Sequence, residues 1–194
     1  MEEKTFLEHL RSKTAPMHKA LEEVPVSKHI MSPDLNPERY KAYLQKVHCL
    51  HRDIEQTVFP IVSEFIEDVN ARIKTPAIEK DLHNMGTSAE NCEVSLTDSK
   101  FSQSPAFCMG MMYVSEGSTL GGMYIVKNVS ATLGDKASNA VNFLTVYGST
   151  TGSKWKQFLA DLEKFQSSCN SEEKEQIISG AIYGFERTYQ IFNQ

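Results

Sequence analysis

Asn36-Pro37, Thr75-Pro76 and Ser104-Pro105 each place a residue able to cap a helix directly before a proline. The pairing marks a helix start, because the cap side chain accepts an orphaned N–H and proline at the next position has none to lose. The first pair opens a segment in which Tyr40, Tyr43, Leu44, Val47, Leu50, Ile54 and Val58 recur at three- and four-residue spacing, one stripe of an amphipathic helix. Pro60 should kink or break it. A second long segment runs from Pro105 to about Leu133 and stops at Gly134-Asp135. A third runs from Ser171 to the C-terminus with Ile177, Ile178, Ala181, Ile182, Phe185, Tyr189 and Phe192 on one side. Shorter helices are expected at 5–23, 76–85, 138–146 and 152–168, with a surface loop over 86–103. No stretch alternates with period two, so no sheet is expected. With no internal repeat or shift in composition, residues 1–194 read as one all-α domain.

A net charge of −5 makes the whole molecule a poor electrostatic match for nucleic acid or an anionic membrane surface. No apolar run approaches the roughly 20 residues needed to span a bilayer. The opening MEEKTFLEHLRSKT lacks the hydrophobic block of a secretion signal, which makes the cytoplasm the expected location. Cys49, Cys92, Cys108 and Cys169 show no metal-finger spacing, and in a reducing compartment they are expected to be unpaired thiols.

The segment MGMMYVSEGSTLGGMYIVKNV, residues 109–129, keeps a helical period yet contains Gly110, Gly117, Gly121 and Gly122. Each glycine inside a helix costs about 1 kcal/mol relative to alanine, so the cluster needs a compensating reason. Gly117 and Gly121 share a face, with Gly122 adjoining. Two reasons fit. A face without side chains lets two helices pack closely, or lets the backbone approach, or bend over, a flat bulky ligand. Six histidines are present, of which His48 and His51 stand three apart as a candidate metal pair; a lone histidine on an amphipathic helix is otherwise a solvated or core residue.

EGSTLGG after an aromatic-containing apolar turn resembles the haem oxygenases, and most of all the bacterial members that supply biliverdin to phytochromes. LRSKTAPMHKALEE (residues 10–23) is similar to the family's N-terminal signature, and YGSTTGSKWKQFLADL (residues 147–162) to a third stretch. The resemblance spans most of the chain and implies a multihelical fold with haem between a proximal and a distal helix. By it, His18 is the iron ligand and Glu22, one turn on, holds the ring's other nitrogen. Gly117, Ser118, Gly121 and Gly122 form the distal catalytic segment, and Arg11, Lys154 and Lys156 stand where basic residues meet the haem propionates.

The implied activity is oxidative cleavage of haem to biliverdin, carbon monoxide and iron, with O2 and electrons from a donor such as ferredoxin or flavodoxin; haem is both cofactor and substrate. Two positions depart from the pattern. Ser118 stands where the animal enzymes carry an aspartate that orders proton-delivering water. Pro16, two residues before His18, should kink or shorten the first helix. The alternatives are a haem carrier of the same fold that does not turn over, and a branch of the fold that binds no haem, for which Cys108 is the nearest candidate nucleophile.

Overall fold

The computed structural model describes residues 5–92 and 94–194. Among them every regular element is helical: α1 (Phe6–Glu23), α2 (Pro25–Met31), α3 (Pro37–Thr57), α4 (Phe59–Val62), α5 (Thr75–Asn84), α6 (Pro105–Ser118), α7 (Gly122–Leu133), α8 (Thr151–Ser167) and α9 (Ser171–Phe192), with short 3-10 turns between. None of these helices is long and apolar enough to cross a membrane.

Local chemistry starts the helices, though not always at the expected side chain. Asn36 caps α3 by accepting from the Arg39 N–H at 3.0 Å. Ser104 instead turns its hydroxyl to Gln176 of α9. Thr75 lies inside α5, whose first N–H groups are capped from outside: Glu55 Oε1 accepts from Lys74 N at 2.6 Å and Thr75 N at 3.0 Å. Reciprocal capping boxes fix α1 (Thr5 with Glu8) and α9 (Asn170 with Glu173). Pro16 neither breaks α1 nor shortens it. Pro16 gives up only the bond to the Ser12 carbonyl, and His18 stays on a continuous helix.

The segment expected as one helix to Leu133 is divided by a 3-10 turn at Thr119–Gly121. The helix expected at 138–146 does not form. Its backbone groups are claimed from outside: Asp81 of α5 accepts from Asn142 N at 2.9 Å and Phe143 N at 2.8 Å, and the Tyr40 hydroxyl donates to Ala140 O. These side chains satisfy groups that an intrahelical ladder would otherwise use.

The core is organised around α6, whose residues from Ala106 to Met112 are all buried. It packs along α9 backbone to backbone. A Cβ on Gly110 would overlap the Ile177 carbonyl oxygen, and one on Gly180 would overlap that of Phe107. On α9 also rests α1, while α3 packs on α5.

Cys49 and Cys92 form a disulfide, with their Cα atoms 5.7 Å apart, contrary to the expectation of four free thiols. Loop 86–103 explains the pairing, because it folds back along α3. Gln45 Nε2 donates to Ser88 O at 2.8 Å, and Asp53 accepts from Leu96 N at 3.0 Å. The same loop is tied to α9 by the Tyr183 hydroxyl on Leu96 O and by Arg187 on Asp98. Cys108 and Cys169 are free, and burial pushes the Cys108 thiol up to about 12.

Candidate active site

Between α1, the end of α6, the start of α8 and α9 lies a cleft of about 630 Å³, within the range that encloses a mid-sized organic ligand. His18 and Arg11 line it from α1, Tyr113 and Gly117 from α6, Trp155 from α8 and Phe185 from α9. The His18 side chain is 62% exposed, so its ring reaches the cleft rather than the core. Its Nδ1 lies 3.4 Å from Glu22 Oε1, and its ring meets Phe185 edge-on at 5.8 Å. A carboxylate on Nδ1 leaves Nε2 as the nitrogen for a metal, the usual outer-sphere arrangement for a ligating imidazole.

The wall from α6 is bare at Gly117. At Gly117 an added Cβ would come within 3.5 Å of Trp155, which narrows the cleft to a slot at that point. Ser118 Oγ donates to Ser115 O at 2.7 Å and Thr119 Oγ1 to Glu116 O at 2.7 Å, so α6 ends on hydroxyls that bond its last carbonyls. Ser118 lines both this cleft and a neighbouring cavity of about 50 Å³, shared with Tyr43, His51, Thr119 and Tyr147. That cavity is large enough for an ordered water. Burial, with Lys74 and His48 nearby, holds His51 well below its ordinary value, which keeps the ring neutral.

Not every expected site residue converges here. Gly121 lies on the 3-10 turn with open space where a side chain would go, and it does not line the cleft. Gly122 is a packing glycine, because a Cβ there would press on Leu144 O at 2.7 Å. Lys154 turns away to pair with Asp68, and Lys156 is exposed on α8 outside the cleft. His48 and His51 do not act as a pair: His48 Nε2 meets Glu79 at 3.3 Å. Among the described residues no three metal-ligating side chains converge. Cys108 is fully buried and is not part of the cleft.

One feature escaped the sequence reading. Arg72, Lys74 and Glu116 are 0%, 0% and 1% exposed and form a buried ionic cluster directly behind Gly117. Arg72 Nη1 donates to Glu116 Oε2 at 2.5 Å, Lys74 Nζ to Oε1 at 2.6 Å, and the Tyr147 hydroxyl to both oxygens at 3.1–3.2 Å. The available signal was Glu116 itself, a carboxylate in an apolar run, which requires partners if it is buried.

The heme oxygenase family model matches residues 4–194. The chain belongs to the haem oxygenase family. No curated protein sequence matches it. Solved structures similar to this haem oxygenase family member include three haem oxygenases. One from Leptospira interrogans has a TM-score of 0.78 at 17% identity, covering 98% of this chain and 99% of that one. One from Neisseria meningitidis, bound to NO and CO, has a TM-score of 0.76 at 19% identity, covering 98% and 91%. Haem oxygenase-1 from the cyanobacterium Synechocystis, in complex with haem, has a TM-score of 0.75 at 14% identity, covering 98% and 91%. At these identities the likeness is one of fold.

Proposed function

We propose that the cleft binds haem with His18 Nε2 on the iron, and that the protein cleaves haem to biliverdin, carbon monoxide and iron with O2 and electrons from a small redox donor such as ferredoxin or flavodoxin. The observation that carries the reading is one cleft holding both a histidine with a carboxylate on its Nδ1 and a wall stripped of side chains at Gly117. The residues present fit the group: an imidazole with a free nitrogen, aromatic and aliphatic walls, and cationic Arg11 and Lys19 at the rim for carboxylates. Bound haem supplies the oxygen-activating iron and the carbon skeleton that is oxidised.

The chain's own contribution is placement and proton supply. Glu22 orients the His18 ring, and Trp155 with Gly117 sets the thickness of the slot. Ser118, which replaces the aspartate expected from the resemblance, lines both the slot and the small cavity beside it. A hydroxyl at that point can relay a proton toward the slot without carrying a charge of its own. A haem carrier of the same fold is the competing reading.

Hemin titration followed by aerobic reduction separates these readings. Wild type should develop a Soret band that bleaches with ascorbate in air. A band that forms and persists would assign a carrier. In His18→Ala the histidine-ligated spectrum should be lost and partly restored by added imidazole; an unchanged spectrum would place the ligand elsewhere.

A further inference from the structure

Two chain positions form the lips of the slot, Gly117 and Trp155, and the residue before each is held by the same side chain. Arg72 donates from Nη1 to the Glu116 carboxylate at 2.5 Å, and from Nη1 and Nη2 to Lys154 O at 3.4 and 3.3 Å. Its Nε donates to Asp68 Oδ1 at 2.7 Å, which anchors the stem, and Asp68 in turn pairs with Lys154. The guanidinium lies 5.9 Å from the Phe158 ring, on which Trp155 stacks at 5.7 Å. Tyr113 closes the far side of Trp155, with ring centroids 5.5 Å apart.

We infer that Arg72 is the positioning residue of the active site, a clasp between the end of α6 and the start of α8 that sets the spacing of Gly117 and Trp155. This rests on the reading that haem enters that slot. Neutralising Glu116 does not by itself require arginine, because Lys74 already donates to it at 2.6 Å. Joining acceptors on two separate helices is the part that Arg72 alone plays in this cluster. Guanidinium presents five donors in a rigid planar fork, whereas an ammonium has three on a flexible stem and fixes no plane between its acceptors. A buried ion pair is weak evidence for stability, since apolar packing often does as well, but a fully bonded one fixes a geometry. Here the geometry fixed is a gap whose narrowest contact involves a glycine and a ring.

Trp155 is the only tryptophan in the chain, so its emission reports on the slot directly. Arg72→Lys keeps the charge and loses the fork. In the folded variant Trp155 emission should move to longer wavelength, and hemin should bind about tenfold more weakly, because small misplacements of a binding wall have effects of that order or larger. A role in stability alone would lower the melting temperature and leave both signals unchanged. Wild-type values of either signal in folded R72K would overturn the inference. If R72K does not fold, Glu116→Asp, which keeps the charge and draws back the carboxylate by one methylene, is judged by the same two signals. Failure of the wild-type protein to bind hemin would sink the haem reading, and Trp155 emission alone would then decide whether the clasp exists.

Discussion

Gly110 and Gly117 stand two turns apart on the same side of α6, and they serve opposite ends. Gly110 faces the backbone of α9 so closely that a single methyl group would collide with the Ile177 carbonyl. Gly117 faces the cleft, where the first obstacle is the edge of the Trp155 ring at ordinary contact distance. Gly121, one turn further, meets nothing. One helix therefore changes from a sealed packing surface to an open cleft wall within a few residues, by the same means in each case. Packing explains Gly110 and Gly122, whereas Gly117 borders the cleft and Gly121 meets nothing.

The contrast is sharpest at its closed end. Gly110→Ala should cost about 3 kcal/mol, since backbone on a neighbouring helix cannot rotate out of the way. Denaturant unfolding measures it, and a loss below 1 kcal/mol would mean the helices slide apart freely. At the open end Gly117→Leu should leave a folded protein, at a stability cost of about 1 kcal/mol. It should abolish measurable hemin binding in a titration that wild type passes. Normal hemin affinity there would remove Gly117 from the slot.

A smaller, pH-dependent effect tests the charges behind the slot. Burial raises the Asp68 carboxyl, but the bonds and charges of Lys154 and Arg72 outweigh it and hold the group below its ordinary value. A depressed folded-state value means the stabilisation is present above the unfolded value of about 3.9 and is lost as pH falls through the folded one. Asp68→Asn should therefore be less stable than wild type near neutrality, with the gap closing below about pH 4. A gap that is constant with pH would mean the charge contributes nothing. The least effect belongs to Gly121→Ala. Its backbone is already right-handed helical, φ −73° and ψ −22°. The substitution should stabilise by about 0.5 kcal/mol through the unfolded state, with little change in hemin titration.

Sequence periodicity carried the architecture well, because α1, α3, α6, α8 and α9 are long enough for their stripes to dominate. It failed where tertiary bonds override local preference. Residues 138–146 have helical periodicity, but Asp81 and Tyr40 hold their backbone groups in turns. Arg11, His18, Gly117 and Ser118, which line the cleft, and Glu22 beside His18 were legible in the sequence because they lie within contiguous motifs. Lys154 could not be judged that way: its partner, Asp68, is 86 residues distant and was invisible to any local reading. The cluster of Arg72, Lys74 and Glu116 escaped for the same reason, since it joins two parts of the chain through space. Spacing gave no hint of the disulfide either, because it depends on where loop 86–103 lies against α3.

That disulfide has a topological consequence. Cys49 and Cys92, 43 positions apart, close the chain into a covalent ring that contains α4, α5, Arg72 and Lys74. Glu116 lies outside the ring and must be threaded against it when the molecule folds. In an unfolded chain the ring limits how far Arg72 and Lys74 can wander from the α3 residues beside which they come to rest, and closing a loop of this size removes about 4 kcal/mol of disorder from the unfolded ensemble. The two cations that receive the Glu116 carboxylate are thus gathered in advance on a short tether, while the carboxylate itself arrives from the free part of the chain.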